Sequence, residues 1–236
     1  MGDATIEFKS GDELIKYCLH NSLKNHPFFQ NEANYDLAHL WALTKIGKTY
    51  KNQDPIWISH ICSKITDAEL RCFLIADLND DLGHGDYDHR QELVLQSMGE
   101  TLEPWAFADK KTMLEAEDKQ FAARLHELKM HDDVRISLGA VLAGFMFGEV
   151  IIDYIFKTLR LNKDKLTHVK FDEWFHGGHY HGGEAQTTGH QDDSMKIARS
   201  ITNTKTPEDL KQIVLGVKAA EKIYREMFDL LNGLKS

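Results

Sequence analysis

Apolar residues in this chain recur three and four positions apart almost from end to end. Sustained period-two alternation is missing, so the pattern predicts helices and no sheet. Ser10 and Glu13 form a capping-box pair ahead of Leu14, Ile15, Cys18, Leu19 and Leu23, a one-sided stripe that stops before Pro27. A second stripe carries Leu37, Leu40, Trp41 and Thr44. Asp54 followed by Pro55 has the form of an N-cap and first helical position for a further helix through Trp57, Ile58, Ile61 and Ile65. Thr66 and Glu69 repeat the capping box before Leu70, Phe73, Leu74 and Leu78, and Gly83 ends that element. Beyond Gly85 one helix holds His89, Leu93 and Met98, and another holds Leu114, Phe121, Leu125 and Leu128. From Val134 to about Leu159 the chain is apolar on every helical face, which places that helix in the middle of a bundle. Thr206-Pro207-Glu208-Asp209 then opens a last long helix through Leu210, Ile213, Val214, Val217, Ile223 and Met227. The expected fold is all-α, around a buried central helix.

With 236 residues the chain can bury a substantial core without disulfides. It has only four prolines and no low-complexity block, so one helical-bundle domain over residues 1–236 is expected. A net charge of −9 argues against nucleic acid as the main partner, because phosphate binding needs a concentrated basic surface. The expected partners are a small-molecule substrate and, at most, a second copy of the chain. The three cysteines, Cys18, Cys62 and Cys72, are an odd count without a C-x-x-C pair, which suits a reducing cytosol. The N-terminus lacks a basic region followed by an apolar run, so a cytoplasmic protein is expected. Ile136 to Phe156 invites a membrane reading, with its Gly144-x-x-x-Gly148 spacing. Glu149 and Asp153 argue against it, because each would cost several kcal/mol in hydrocarbon.

Three clusters of acids and histidines break local rules. The densest lies between Phe175 and Asp193, where His176, His179, His181 and His190 stand beside Glu184, Asp192 and Asp193, with five glycines that let the backbone converge. Alone, such a tract is equally a surface loop that binds metal adventitiously. The second is Asp80-Asp81 in the last turn of a helix, where the macrodipole disfavours anions and a cation should compensate. His84, Asp86, Asp88 and His89 follow and add donors, although one of these aspartates serves equally well as a helix cap. The third is Glu149 in the central helix, with Asp153 one turn later and closer to the polar end at Lys157. A carboxylate there needs a partner, either a metal or one of the 28 Lys and Arg residues. Helical bundles build paired-metal sites from such pieces, with carboxylates and histidines pointing inward from several helices.

On these residues the chain resembles the heme-oxygenase-like (TenA/PqqC-like) superfamily, in particular its diiron oxidase and oxygenase branch. The resemblance covers most of the chain. It rests on Asn25-His-Pro-Phe-Phe29, on Leu78-Asn-Asp-Asp-Leu-Gly-His-Gly-Asp-Tyr-Asp-His89, on Gly148-Glu149 in the central helix, and on a histidine-rich segment before a long terminal helix. It implies a heme-oxygenase-like helical bundle with Asp81, His89, Glu149 and His190 as metal ligands, Asp81 standing where that branch more often has glutamate. The H-x-x-x-D-x-x-H spacing of the family's last ligand segment is absent here. His181, Glu184 or the one-turn pair His190 and Asp193 are the alternatives that could substitute. The implied activity is that of an iron-dependent oxidoreductase, with two Fe2+ ions and O2 as co-substrate. It would oxidise a small organic molecule, amino-acid-derived or a fatty acid, in the bundle cavity. The alternatives are a cofactor-independent enzyme of the same superfamily, with His89 or Glu149 as acid-base catalyst, and a non-catalytic metal-binding helical protein. The thiaminase branch fits less well: its nucleophilic cysteine lies on the central helix and this chain has no cysteine after Cys72, so attack by a thiolate at that position is excluded.

Overall fold

Ser10 does open the first helix. Its Oγ accepts from the Glu13 N–H at 3.3 Å, while the Glu13 carboxylate reaches back to the Lys9 N–H at 2.8 Å. The computed structural model describes residues 8–20, 23–85, 90–167, 187–203 and 205–235, with side chains for all of them except 80, 84, 91 and 187–194. Among the described residues the chain forms nine α-helices and no strand, so the fold is all-α. They are α1 (Gly11–His20), α2 (Pro27–Gln30), α3 (Leu37–Lys64), α4 (Ala68–Asp81), α5 (Gln91–Thr101), α6 (Lys111–Lys129), α7 (Val134–Leu161), α8 (Thr187–Thr202) and α9 (Pro207–Asn232).

Two boundaries differ from the expected ones. Asp54 and Pro55 do not start a helix: α3 runs unbroken from Leu37 to Lys64 with Pro55 inside it. Proline has no N–H for the Lys51 carbonyl, a loss that normally ends or kinks a helix. Here Trp41 and Ile46 before it, and Trp57 and Ile61 after it, are all fully buried in one core, so tertiary packing overrides the local break. The cap of α4 is also one residue later than the Thr66 pattern suggests. The Asp67 carboxylate accepts the Leu70 N–H at 3.0 Å, a task for which aspartate ranks above threonine. Gly83, at φ 72°, takes the left-handed turn after α4 that a residue with a Cβ would resist. The last helix starts as expected, with reciprocal capping between Thr206 and Asp209.

The central position of α7 holds for its first half, where every residue from Ser137 to Ala143 is buried. Its second half, through Glu149 and Ile152, is only half-buried. By length and composition α7 is the one helix among the described residues that could cross a membrane. In this fold it packs on α3, α6, α8 and α9. Its tightest contact does not involve the Gly144-x-x-x-Gly148 pair. A Cβ on Gly139 would lie 2.0 Å from the Ile213 carbonyl oxygen, and one on Gly216 would lie 2.0 Å from that of Ile136, so α7 and α9 cross backbone to backbone. Around this axis α3 packs against α4, α5 and α6, and α8 lies against α1, α4 and α7.

Candidate functional site

Tyr50, Asp54, Trp57 and Ile61 are spaced four, three and four residues apart, so they share one face of α3. Phe121, Leu125 and Lys129 do the same on α6, and Val217, Ala220 and Tyr224 on α9. Where these faces meet, the core contains charge. Lys129 is only 2% exposed and Asp54 5%. The Lys129 ammonium donates to Asp54 Oδ1 at 3.1 Å and to the Tyr50 hydroxyl at 3.1 Å. It also stands 4.5 Å from the Tyr50 ring centre and 4.4 Å from that of Trp57, within cation–π range. Burial pulls the Lys129 pKa below the usual lysine value, against the pull of Asp54.

Burial pushes the hydroxyls of Tyr50 and Tyr224 well above the usual tyrosine value, so both stay neutral; the two rings stand edge-on with their centres 6.4 Å apart. Gly144 of α7 faces this group. A Cβ there would be 3.5 Å from the Tyr50 hydroxyl, 3.7 Å from that of Tyr224 and 4.0 Å from the Lys129 nitrogen. Trp57, Phe121 and Phe147 surround the two tyrosines with ring-centre separations of 5.4 to 6.1 Å, an apolar wall around polar tips.

Lys51 extends the network outward. Its ammonium lies 3.3 Å from Asp54 Oδ2, 3.2 Å from Asp81 Oδ1 and 3.5 Å from Asp81 Oδ2. Burial works against its charge, yet Asp81, Asp54 and Asp77 together hold its pKa above the usual lysine value. Lys129, Asp54, Lys51 and Asp81 thus form a row of alternating charges from the core to the end of α4. Without this pairing the two buried ions, Lys129 and Asp54, would each cost several kcal/mol.

Of the residues singled out in the sequence, Asp81 ends α4 and is nearly buried, its side chain 10% exposed. The cation expected beside it is present, and it is a lysine from α3. Glu149 lies in the half-buried second half of α7, so it is less enclosed than an all-apolar helix implies. Asp153 is exposed. Burial, and then the charge of Glu149, raise the Asp153 pKa. His190 falls in the first turn of α8, with its side chain outside the described residues. His89, His181 and Glu184, together with His176 and His179, lie outside them altogether. The structure therefore brings Asp81 and Glu149 onto two helices, α4 and α7, that both pack against α8. Among the described residues no group of three or more His, Cys, Asp or Glu side chains could hold a metal, so any metal site here would need donors from beyond them. In donor chemistry, carboxylate plus imidazole, the set suits iron.

Neither any protein-family model nor any curated protein matches the chain.

Sequence reasoning missed Tyr50, Lys51, Asp54, Lys129 and Tyr224. A signal was present: Lys129 continues the Phe121–Leu125 stripe, where a solvated lysine does not belong. Splitting α3 at Pro55 hid the matching stripe through Tyr50, Asp54 and Trp57.

Proposed function

We propose that this chain is an oxygen-activating non-haem iron oxidoreductase acting on a small organic substrate, amino-acid-derived or a fatty acid, inside the bundle. The observation that carries this reading is the convergence of α4 and α7, bearing Asp81 and Glu149, on α8, whose first turn bears His190. Two donor-bearing helices far apart in sequence pack on a third that carries a donor of its own. A surface metal-scavenging loop would need no such partners.

In this reading Asp81, Glu149, His89 and His190 hold Fe2+, with His181 or Glu184 completing the set. Iron so bound supplies one-electron chemistry with O2. The chain's own residues supply the setting. The aromatic wall of Trp57, Phe121 and Phe147 excludes water from the deep end of the site, which strengthens every polar interaction there. Tyr50, Tyr224 and Lys129 present two hydroxyls and an ammonium to the central helix beside Gly144. In the cofactor-independent alternative, Glu149 or His89 would instead act as the acid-base catalyst.

A second reading, a cofactor-independent enzyme on the same scaffold, is favoured by one contact: Lys51 already neutralises Asp81. Anaerobic titration with Fe2+ separates the two. The iron reading expects stoichiometric binding, O2 consumption by the loaded protein, and loss of both in Glu149→Ala with its helical circular dichroism intact. Binding that is absent, or unaffected by that substitution, would refute it.

A further inference from the structure

Lys51 is set apart from the other lysines by what it touches. Its nitrogen straddles both oxygens of Asp81, at 3.2 and 3.5 Å, the two atoms through which a carboxylate grips a metal. It also keeps a second partner, Asp54 Oδ2, at 3.3 Å. A lysine ammonium is a compact charge on a flexible stem, able to leave one carboxylate while staying on another. The opposite oxygen of Asp54, Oδ1, is held by Lys129 at 3.1 Å, so Asp54 is fixed in place whether or not Lys51 remains on Asp81.

We propose that Lys51 is a tethered cation competing with a divalent metal for Asp81, so that loading the site requires the ammonium to retire onto Asp54. The inference rests on the reading of Asp81 as a ligand. It makes Lys51 a positioning residue, which sets how tightly and how selectively the site fills. A carboxylate already neutralised by lysine has little attraction for weakly binding or monovalent ions. Only an ion that returns more than the lost ion pair displaces the lysine.

The test is titration of the full-length protein with Co2+ alone, followed by calorimetry and by the visible absorption of the bound ion. Lys51→Met removes the competitor and is expected to tighten Co2+ binding about ten- to a hundredfold, the worth of a charged hydrogen bond to a carboxylate. Lys51→Arg replaces a point charge with a fork that grips a carboxylate bidentately, and is expected to weaken binding about tenfold. Opposite shifts in the two variants support the proposal, as does Co2+ binding by Lys51→Met where the parent protein binds none. A purely structural lysine would lose affinity in both. If Asp81→Asn abolishes binding while Lys51→Met leaves it unchanged or weaker, the competition is wrong and the metal reading survives. If the parent protein and Lys51→Met bind no Co2+, both fall. Lys51→Arg keeps the charge and decides the matter should Lys51→Met fail to fold.

Discussion

At the scale of single residues, His26 has a plain structural task. Its Nδ1 accepts the Phe28 N–H at 3.2 Å, capping α2, and its Nε2 faces Asp229 at 3.2 Å. Burial lowers its pKa from the ordinary 6.5, although Asp229 opposes this. The folded state therefore takes up a proton less readily than the unfolded chain. Stability from this group is present above pH 6.5 and is lost as pH falls below it. Urea midpoints are expected to fall between pH 7.5 and 5.5, and His26→Asn, which keeps a cap acceptor but cannot titrate there, should flatten that slope. An equal slope in the variant would count against this role. The Asp54–Lys129 pair makes a different prediction. Asp54→Asn or Lys129→Met alone strands a buried charge and should lower unfolding stability by about 3–5 kcal/mol. The double variant should lose clearly less than the sum of the two, as read from a double-mutant cycle in urea. Strict additivity would mean that the two groups do not depend on each other.

At the scale of elements, much of the fold is legible in the sequence, for identifiable reasons. Local signals act within one turn, so Ser10, Gly83 and the Thr206–Asp209 pair mark real helix ends. Pro55 misleads because its local preference opposes packing on both sides, and the packing outweighs it. Leu19 misleads in the same way. It sits in an apolar stripe yet is 52% exposed, since α1 covers the bundle with only one narrow face. The candidate site is less legible than the fold. An ion pair between α3 and α6 joins residues 75 positions apart and leaves no short-range trace. Glycines show a similar division. Gly139→Ala or Gly216→Ala would force a methyl into a carbonyl 2.0 Å away, so α7 and α9 must part, and a loss of about 3 kcal/mol or more in denaturant unfolding is expected. Gly148→Ala meets no atom within 4 Å and should be neutral, or stabilising by up to about 1 kcal/mol through helix propensity. Equal effects at the three positions would contradict the crossing geometry.

At the scale of the whole molecule, a row of alternating charges runs through the bundle from Lys129 on α6 through Asp54 and Lys51 on α3 to Asp81 on α4. If α4, α7 and α8 share a metal, binding ties three helices at once and must appear as global stability. At a free metal concentration of 100 times Kd, linkage gives about 2.7 kcal/mol. The thermal midpoint should rise with added Fe2+ under nitrogen in the parent protein and stay fixed in Glu149→Ala. A rise of equal size in both would place the metal elsewhere.

The Gly139–Gly216 crossing has a mechanical side as well. It pins α7 at the sixth of its 28 residues, close to one end. Glu149 lies ten residues farther on, about 15 Å along the axis at 1.5 Å per residue. Beyond Glu149 the helix is held a second time, by buried Tyr154, whose hydroxyl donates to the Asn34 carbonyl at 2.8 Å. Glu149 thus sits on the span between two fixed points, and its position along the bundle is set from both ends.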